Sequence, residues 1–118
     1  MLVEFRFKNF RSFADEAFIQ FDAAAAFKED QDNLIRIKDG ALLKSIAVYG
    51  ANASGKSNIV AALSWFRSMV LTSAKKNSTD AIETFPFVLD RDLAKNPTLA
   101  EIRFLVGDVY YRYGFEVT

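Results

Sequence analysis

A chain of 118 residues, 51% hydrophobic and carrying twelve Phe, four Tyr and one Trp, is long enough for one domain with a modest core. Fifteen basic and fifteen acidic residues cancel, so no global field draws it toward nucleic acid or an anionic membrane. With no Cys and no His, disulfides, thiolate chemistry, zinc sites and imidazole acid–base catalysis are excluded from this chain.

No apolar run approaches the roughly 20 residues that span a bilayer. The N-terminus enters a strand-like pattern at once, without a signal peptide's order of regions. The expectation is a cytoplasmic protein with no membrane partner.

Residues 1–10 alternate, with Val3, Phe5 and Phe7 on one face and Glu4, Arg6 and Lys8 on the other. Period two predicts a half-buried strand. Asn9-Phe10-Arg11-Ser12-Phe13 breaks the alternation and predicts a turn, and residues 17–21 predict a second strand antiparallel to the first. Residues 22–41 are the least legible: a short helix start at Ala23–Ala26, a polar loop, a strand over Leu34-Ile35-Arg36-Ile37 and a turn at Asp39-Gly40.

Ile46-Ala47-Val48-Tyr49 is a short apolar run that meets a glycine, the pattern of a strand buried on both faces in a parallel sheet. A helix is predicted from about Lys56 to Ser73. Ile59, Leu63, Phe66 and Val70 form its apolar stripe, widened by Val60, Trp65 and Met69, and core packing accounts for it. Residues 74–81 read as an exposed loop, and Phe85-Pro86-Phe87 as extended chain, because Pro disfavours helix in the residue before it. Residues 100–106 and 109–117, separated by Gly107-Asp108, predict a β-hairpin. Tyr111, Tyr113, Phe115 and Val117 share one face of its second strand. A nucleic-acid platform is one use of such a face, but a hairpin core suits the neutral charge better.

Between the apolar run and the helix stands Gly50-Ala51-Asn52-Ala53-Ser54-Gly55-Lys56-Ser57. It meets the Walker A pattern G-x-x-x-x-G-K-[ST], whose spacing has a physical basis. Gly50 lets the chain turn tightly. The following N–H groups converge on phosphate oxygens as an anion nest, and Gly55 lets the backbone pass close to the ligand as the helix begins. The helix aims its unpaired N–H groups at the same phosphates. Lys56, the one residue given a catalytic role, reaches the β- and γ-phosphates, and the Ser57 hydroxyl takes a Mg²⁺ coordination position. The four fixed positions coincide by chance on the order of once in a few hundred chains of this length, and the strand-to-helix context lowers that further. Asn52 either approaches the γ-phosphate or stabilises the turn. Asn58 either faces the nucleotide or caps the helix, and stays outside the predicted site. The expected ligands are ATP and Mg²⁺.

A P-loop ATPase also needs an acidic strand end for Mg²⁺ and a base for water. Val88-Leu89-Asp90 and Val106-Gly107-Asp108 are the nearest candidates, and both are too short or wrongly placed. The expectation is binding without a complete catalytic site.

Asn9-Phe10-Arg11-Ser12-Phe13, together with Tyr49 to Asn58, Pro86-Phe87-Val88-Leu89-Asp90 and Tyr110 to Glu116, resembles the start of ABC-type, SMC/RecF-like AAA ATPases. The closest likeness is to the group that includes OLD-family and phage-defence ATP-binding proteins. The resemblance covers nearly the whole chain, residues 22–41 least. It implies an α/β fold, a P-loop NTPase lobe with an antiparallel β-subdomain. It also implies that Arg11 and Ser12 lie near the base and ribose, the alternative being a structural turn in which Arg11 pairs with an acidic neighbour. In such proteins ATP is sandwiched between two heads, so a second head, as in a homodimer, is the implied partner, with DNA implied by the resemblance alone. No Leu-Ser-x-Gly signature segment is present in the chain. Residues 1–118 are therefore expected to be the N-terminal lobe of a longer ATPase. Two other readings are a P-loop phosphotransferase and a non-catalytic interaction module with a vestigial loop.

Overall fold

The computed structural model describes residues 1–23, 31–38, 40–50, 55–77, 79–92 and 95–118. The alternating residues near the N-terminus form strand β1 (Leu2–Lys8), and Ala17–Gln20 forms β2 beside it, antiparallel, with Phe5 opposite Ile19 and Phe7 opposite Ala17. The predicted hairpin forms as β5 (Thr98–Val106) and β6 (Val109–Val117), joined at Gly107-Asp108, where Gly107 has φ 60°. Glycine takes that left-handed angle without a Cβ clash. β1 pairs with β5, so the sheet runs β2-β1-β5-β6 and is antiparallel throughout. β3 (Leu34–Ile37) and β4 (Gly40–Leu43) form a separate antiparallel pair. The Asp22↔Leu42 bridge and a bond from the Leu43 N–H to the Phe21 carbonyl join that pair to the end of β2. The expected helix start at Ala23–Ala26 falls, apart from Ala23, outside the described residues, as does Asp39 of the expected turn.

One face of the sheet is aromatic. Phe5, Phe7, Phe10, Ala62, Phe66 and Ala100 are buried together, with Trp65, Ile102 and Phe115 packed against them. Helix α1 (Lys56–Thr72) lies over this face. The Phe66 ring stacks on Phe115 at 5.3 Å and meets Phe5 edge-on at 5.7 Å, arrangements that suit the ring quadrupoles. The buried stripe of α1 is Ala62, Phe66 and Met69, flanked by partly buried Ile59 and Trp65. Leu63 and Val70, expected in that stripe, are 39% and 43% exposed. The small Ala62 is buried among the rings of Phe5, Phe7, Phe10 and Phe66, whereas Leu63, the next residue along the helix, faces outward.

The other face carries charge. Arg6 pairs with Glu16 at 3.0 Å and lies within 3.8 Å of Glu101, Arg103 reaches Glu4 at 3.2 Å, and Arg112 reaches Glu101 at 2.8 Å. Val3 departs from the simple alternation. The β1–β5 register passes from Leu2↔Phe104 to Glu4↔Arg103, leaving Val3 as a bulge. Val3 therefore packs with Leu42 and Leu105 in a second small cluster, not with Phe5 and Phe7. The architecture is mixed α/β with antiparallel sheets.

The apolar run Ile46 to Tyr49 is not a strand. Residues 45–50 adopt no regular structure, and Tyr49 is 90% exposed. A strand needs neighbours to take its N–H and C=O groups, and no described strand lies beside this run.

Candidate functional site

The turn after β1 is built from two residues with left-handed backbone, Asn9 (φ 53°) and Arg11 (φ 50°). Asn adopts such angles readily, whereas Arg does so rarely. Phe10 and Phe13 exchange backbone hydrogen bonds of 2.9 Å, closing the turn around Arg11 and Ser12. Asn9 is fully buried. Its Nδ2 donates to the Asn96 carbonyl at 2.9 Å, its Oδ1 accepts from the Phe87 N–H at 2.9 Å, and its own carbonyl accepts from the Thr98 hydroxyl at 2.9 Å. One side chain thus ties the end of β1 to the extended residues 85–87 and to the entry of β5. Burial without these partners would be costly.

Arg11 and Ser12 stay on the surface. The Arg11 N–H donates to the Phe85 carbonyl at 2.6 Å, and its guanidinium sits over the Phe85 ring at 4.9 Å from the centroid, a cation–π contact. This is an aromatic neighbour where the structural alternative had placed an acidic one. A hollow of about 590 Å³ opens here, lined by Arg11, Ser12 and residues 84–89. Its walls are mostly apolar, formed by Phe85, Pro86, Phe87, Val88 and Leu89 together with the Arg11–Ser12 turn.

The glycine-lysine-serine motif has its last glycine beside this turn. Ala51, Asn52, Ala53 and Ser54 lie outside the described residues. Gly50, Gly55, Lys56 and Ser57 are described. Gly55 is the N-cap of α1 with φ 95°, a conformation that L side chains rarely adopt. A Cβ there would stand 3.1 Å from Ser12 Oγ and 3.2 Å from the Phe13 ring. Glycine at this position therefore answers both a backbone angle and a close approach by the N-terminal turn. The Asn58 amide donates to Ser12 Oγ at 2.8 Å, which joins the first turn of α1 to the same residue. Among the predicted site residues, Ser12, Gly55 and Lys56 are thus brought to one end of the helix, with Arg11 beside Ser12 in the turn.

The end of α1 suits an anion. It has no side-chain cap and no acidic residue in its first turn, so neither competes for the positive end of a 17-residue helix. The Lys56 ammonium folds back to donate to the Gly50 carbonyl. Ser57 is exposed at the same helix end. Asn58, left out of the predicted site, is the contact that sequence reasoning missed. Its partner lies 46 residues away, and no local pattern encodes that pairing.

Neither acidic alternative ends a strand: Asp90 directly follows the hollow-lining Leu89 in a bend, and Asp108 lies in a turn. Asp90 Oδ1 accepts from the Asp92 N–H at 2.9 Å, capping its own turn. Asp108 sits in the β5–β6 turn, at the far end of the sheet from the Leu99↔Lys8 pair. At about 3.3 Å per strand residue the separation is roughly 23 Å. Among the described residues no group of three or more acidic side chains gathers to hold a metal, and no helix is long and apolar enough to cross a membrane.

Neither the curated proteins nor the solved structures provide a match to this chain. A family model does match, over residues 45–118, and its description reads "AAA domain, putative AbiEii toxin, Type IV TA system". The matched span runs from the approach to the glycine motif through α1 and the β5–β6 hairpin, more than half of the chain, and the chain accordingly belongs to this AAA-domain family of nucleotide-binding, ATPase-type proteins.

Proposed function

We propose that this chain binds MgATP through Gly50 to Ser57 as the N-terminal part of an ABC- or OLD-like ATPase. The observation that carries the reading is the meeting of three elements at one helix end: the Ser12 turn, the left-handed Gly55 and the Lys56 side chain bonded to Gly50. In this reading Lys56 and the N–H groups at the start of α1 hold the phosphates, and Ser57 offers its hydroxyl to Mg²⁺. Mg²⁺, when bound, supplies neutralisation of phosphate charge. Arg11 and Ser12 face the nucleoside from the hollow at residues 84–89, whose apolar walls suit a flat base.

Hydrolysis needs an acidic strand end for Mg²⁺ and a base for water, and neither Asp90 nor Asp108 ends an apolar strand. The reading therefore includes further elements outside residues 1–118 and a second head facing the bound nucleotide. DNA is a partner only by family likeness, and the balanced charge gives this part of the molecule little electrostatic pull on a phosphate backbone.

Calorimetry with MgATP on the wild-type chain and on Lys56→Ala, run beside a phosphate-release assay, tests the proposal. The expected result is binding that depends on Lys56, with negligible turnover. Equal binding by both proteins would favour an interaction module with a vestigial loop. Lys56-dependent phosphate transfer to a small acceptor would favour a phosphotransferase.

A further inference from the structure

Ser12 both lines the hollow at residues 84–89 and touches the start of α1. It contributes a wall to the hollow. Its Oγ accepts from the Asn58 amide at 2.8 Å and lies where a side chain on Gly55 would collide. The neighbouring contacts run the same way. The Arg11 N–H holds the Phe85 carbonyl, the Arg11 guanidinium covers the Phe85 ring, and the Trp65 indole N–H on α1 donates to the Glu83 carbonyl at 2.9 Å. Helix α1 is therefore tied to this region at two places, through Trp65 to Glu83 next to the hollow and through Asn58 to Ser12, both by exposed bonds.

The two ties differ in kind. Trp65 packs against Phe10 at 5.7 Å and Phe115 at 5.3 Å, so it belongs to the core and its removal would disturb folding. The Asn58–Ser12 bond is exposed and adds little to the core. What it fixes is the position of the Arg11–Ser12 turn relative to the helix end that carries Gly55 and Lys56. A polar bond retained on a surface, between residues far apart in the chain, has its value in orientation more than in stability.

Resting on the nucleotide-binding reading above, we infer that Asn58 and Ser12 form a latch that positions the nucleoside wall against the phosphate-binding helix end. Asn58 acts through Ser12 and is a positioning residue. The latch matters only to a ligand that occupies both places at once. ATP spans the helix end and the hollow, whereas inorganic tripolyphosphate occupies the helix end alone. Positioning is worth most when two parts of one ligand must be met together.

The experiment is a comparison of MgATP and magnesium tripolyphosphate binding, by calorimetry, to the wild-type chain, Asn58→Ala, Ser12→Ala and the double variant, with Lys56→Ala as control. Both single variants should weaken ATP by about three- to ten-fold, the worth of one lost neutral hydrogen bond, and leave tripolyphosphate unchanged. The double variant should be no weaker than the worse single one, as for two partners of one bond. Ser12→Thr, which keeps a hydroxyl, should recover most of the ATP affinity. Thermal melts within a few degrees of wild type would show that each variant folds. Equal weakening of both ligands would overturn the latch by placing Asn58 at the phosphates, and so would unchanged affinity for both. Failure of the wild type to bind either ligand would instead remove the nucleotide reading, and the latch with it. Lys56-dependent binding with no change in the ATP-to-tripolyphosphate ratio would remove the latch alone.

Discussion

Two segments lead to the helix end, and they are built in opposite ways. Residues 9–13 arrive from β1 with Asn9 and Phe10 buried and three Asn9 hydrogen bonds to Phe87, Asn96 and Thr98. Residues 45–50 arrive with Ile46, Val48 and Tyr49 exposed and no ladder partner. Among the described residues their start is held by Asn33, whose side chain accepts from the Ser45 N–H and donates to the Ser45 carbonyl, each at 2.9 Å. The polar, turn-forming segment is the fixed one, and the apolar segment is the loose one. Apolar composition makes a segment able to be a strand. Partners for its backbone and a surface for its side chains make it one.

Substitutions can break or sharpen this contrast. The largest effect is expected at the sheet beneath the fixed turn. Phe7→Ala removes a side chain that is 1% exposed and should cost about 3–5 kcal/mol in urea unfolding. Val48→Ala in the loose segment should change stability by less than about 0.5 kcal/mol. Similar losses at the two positions would mean that residues 46–49 are packed in solution, and the contrast would fall.

Asn9→Ala comes next. It strips partners from the Phe87 N–H and the Asn96 carbonyl and places Ala at φ 53°. The expected loss is about 2–4 kcal/mol, from unsatisfied buried groups together with left-handed strain. A loss below about 1 kcal/mol would mean that residues 85–87 and 96 are held without it. Gly55→Ala, strained at φ 95° and crowded by Ser12 and Phe13, should cost about 1–2 kcal/mol in the same assay. On the nucleotide reading it should also weaken MgATP. Smallest is Arg112→Ala on the charged face. Its pair with Glu101 is 2.8 Å long, but the Arg112 side chain is 69% exposed, and such pairs contribute under about 1 kcal/mol. Denaturation in low and high salt should find that difference shrinking as salt rises.

Much of the local structure is legible from local rules. Period-two alternation places β1 and β6, Gly107-Asp108 places the hairpin turn, and G-K-S after an apolar run places the start of α1, because each rule acts across a few residues. In the sequence Asn9-Phe10-Arg11-Ser12-Phe13 reads as one segment, and nothing local separates its parts. Asn9 and Phe10 are architectural, and only Arg11 and Ser12 reach the hollow. Helical periodicity counts Leu63 and Ala62 by hydrophobicity and so favours Leu63, whereas Ala62 is the one buried in the aromatic cluster of Phe5, Phe7 and Phe66. Alternation likewise misses the bulge at Val3, which depends on the register with β5.

The sequence by itself determined the elements that are short-range consequences of backbone sterics and spacing: the alternating strands β1, β5 and β6, the helix span and the tight turn at Gly107-Asp108. Only the tertiary structure decided which apolar residues are buried, that Ser12 rests on Gly55, and that Asn58 is bonded to it across 46 residues. The reason is physical. A turn or a helix start is stabilised by atoms a few bonds away, whereas burial and a long-range hydrogen bond exist only when a distant part of the chain supplies the other surface.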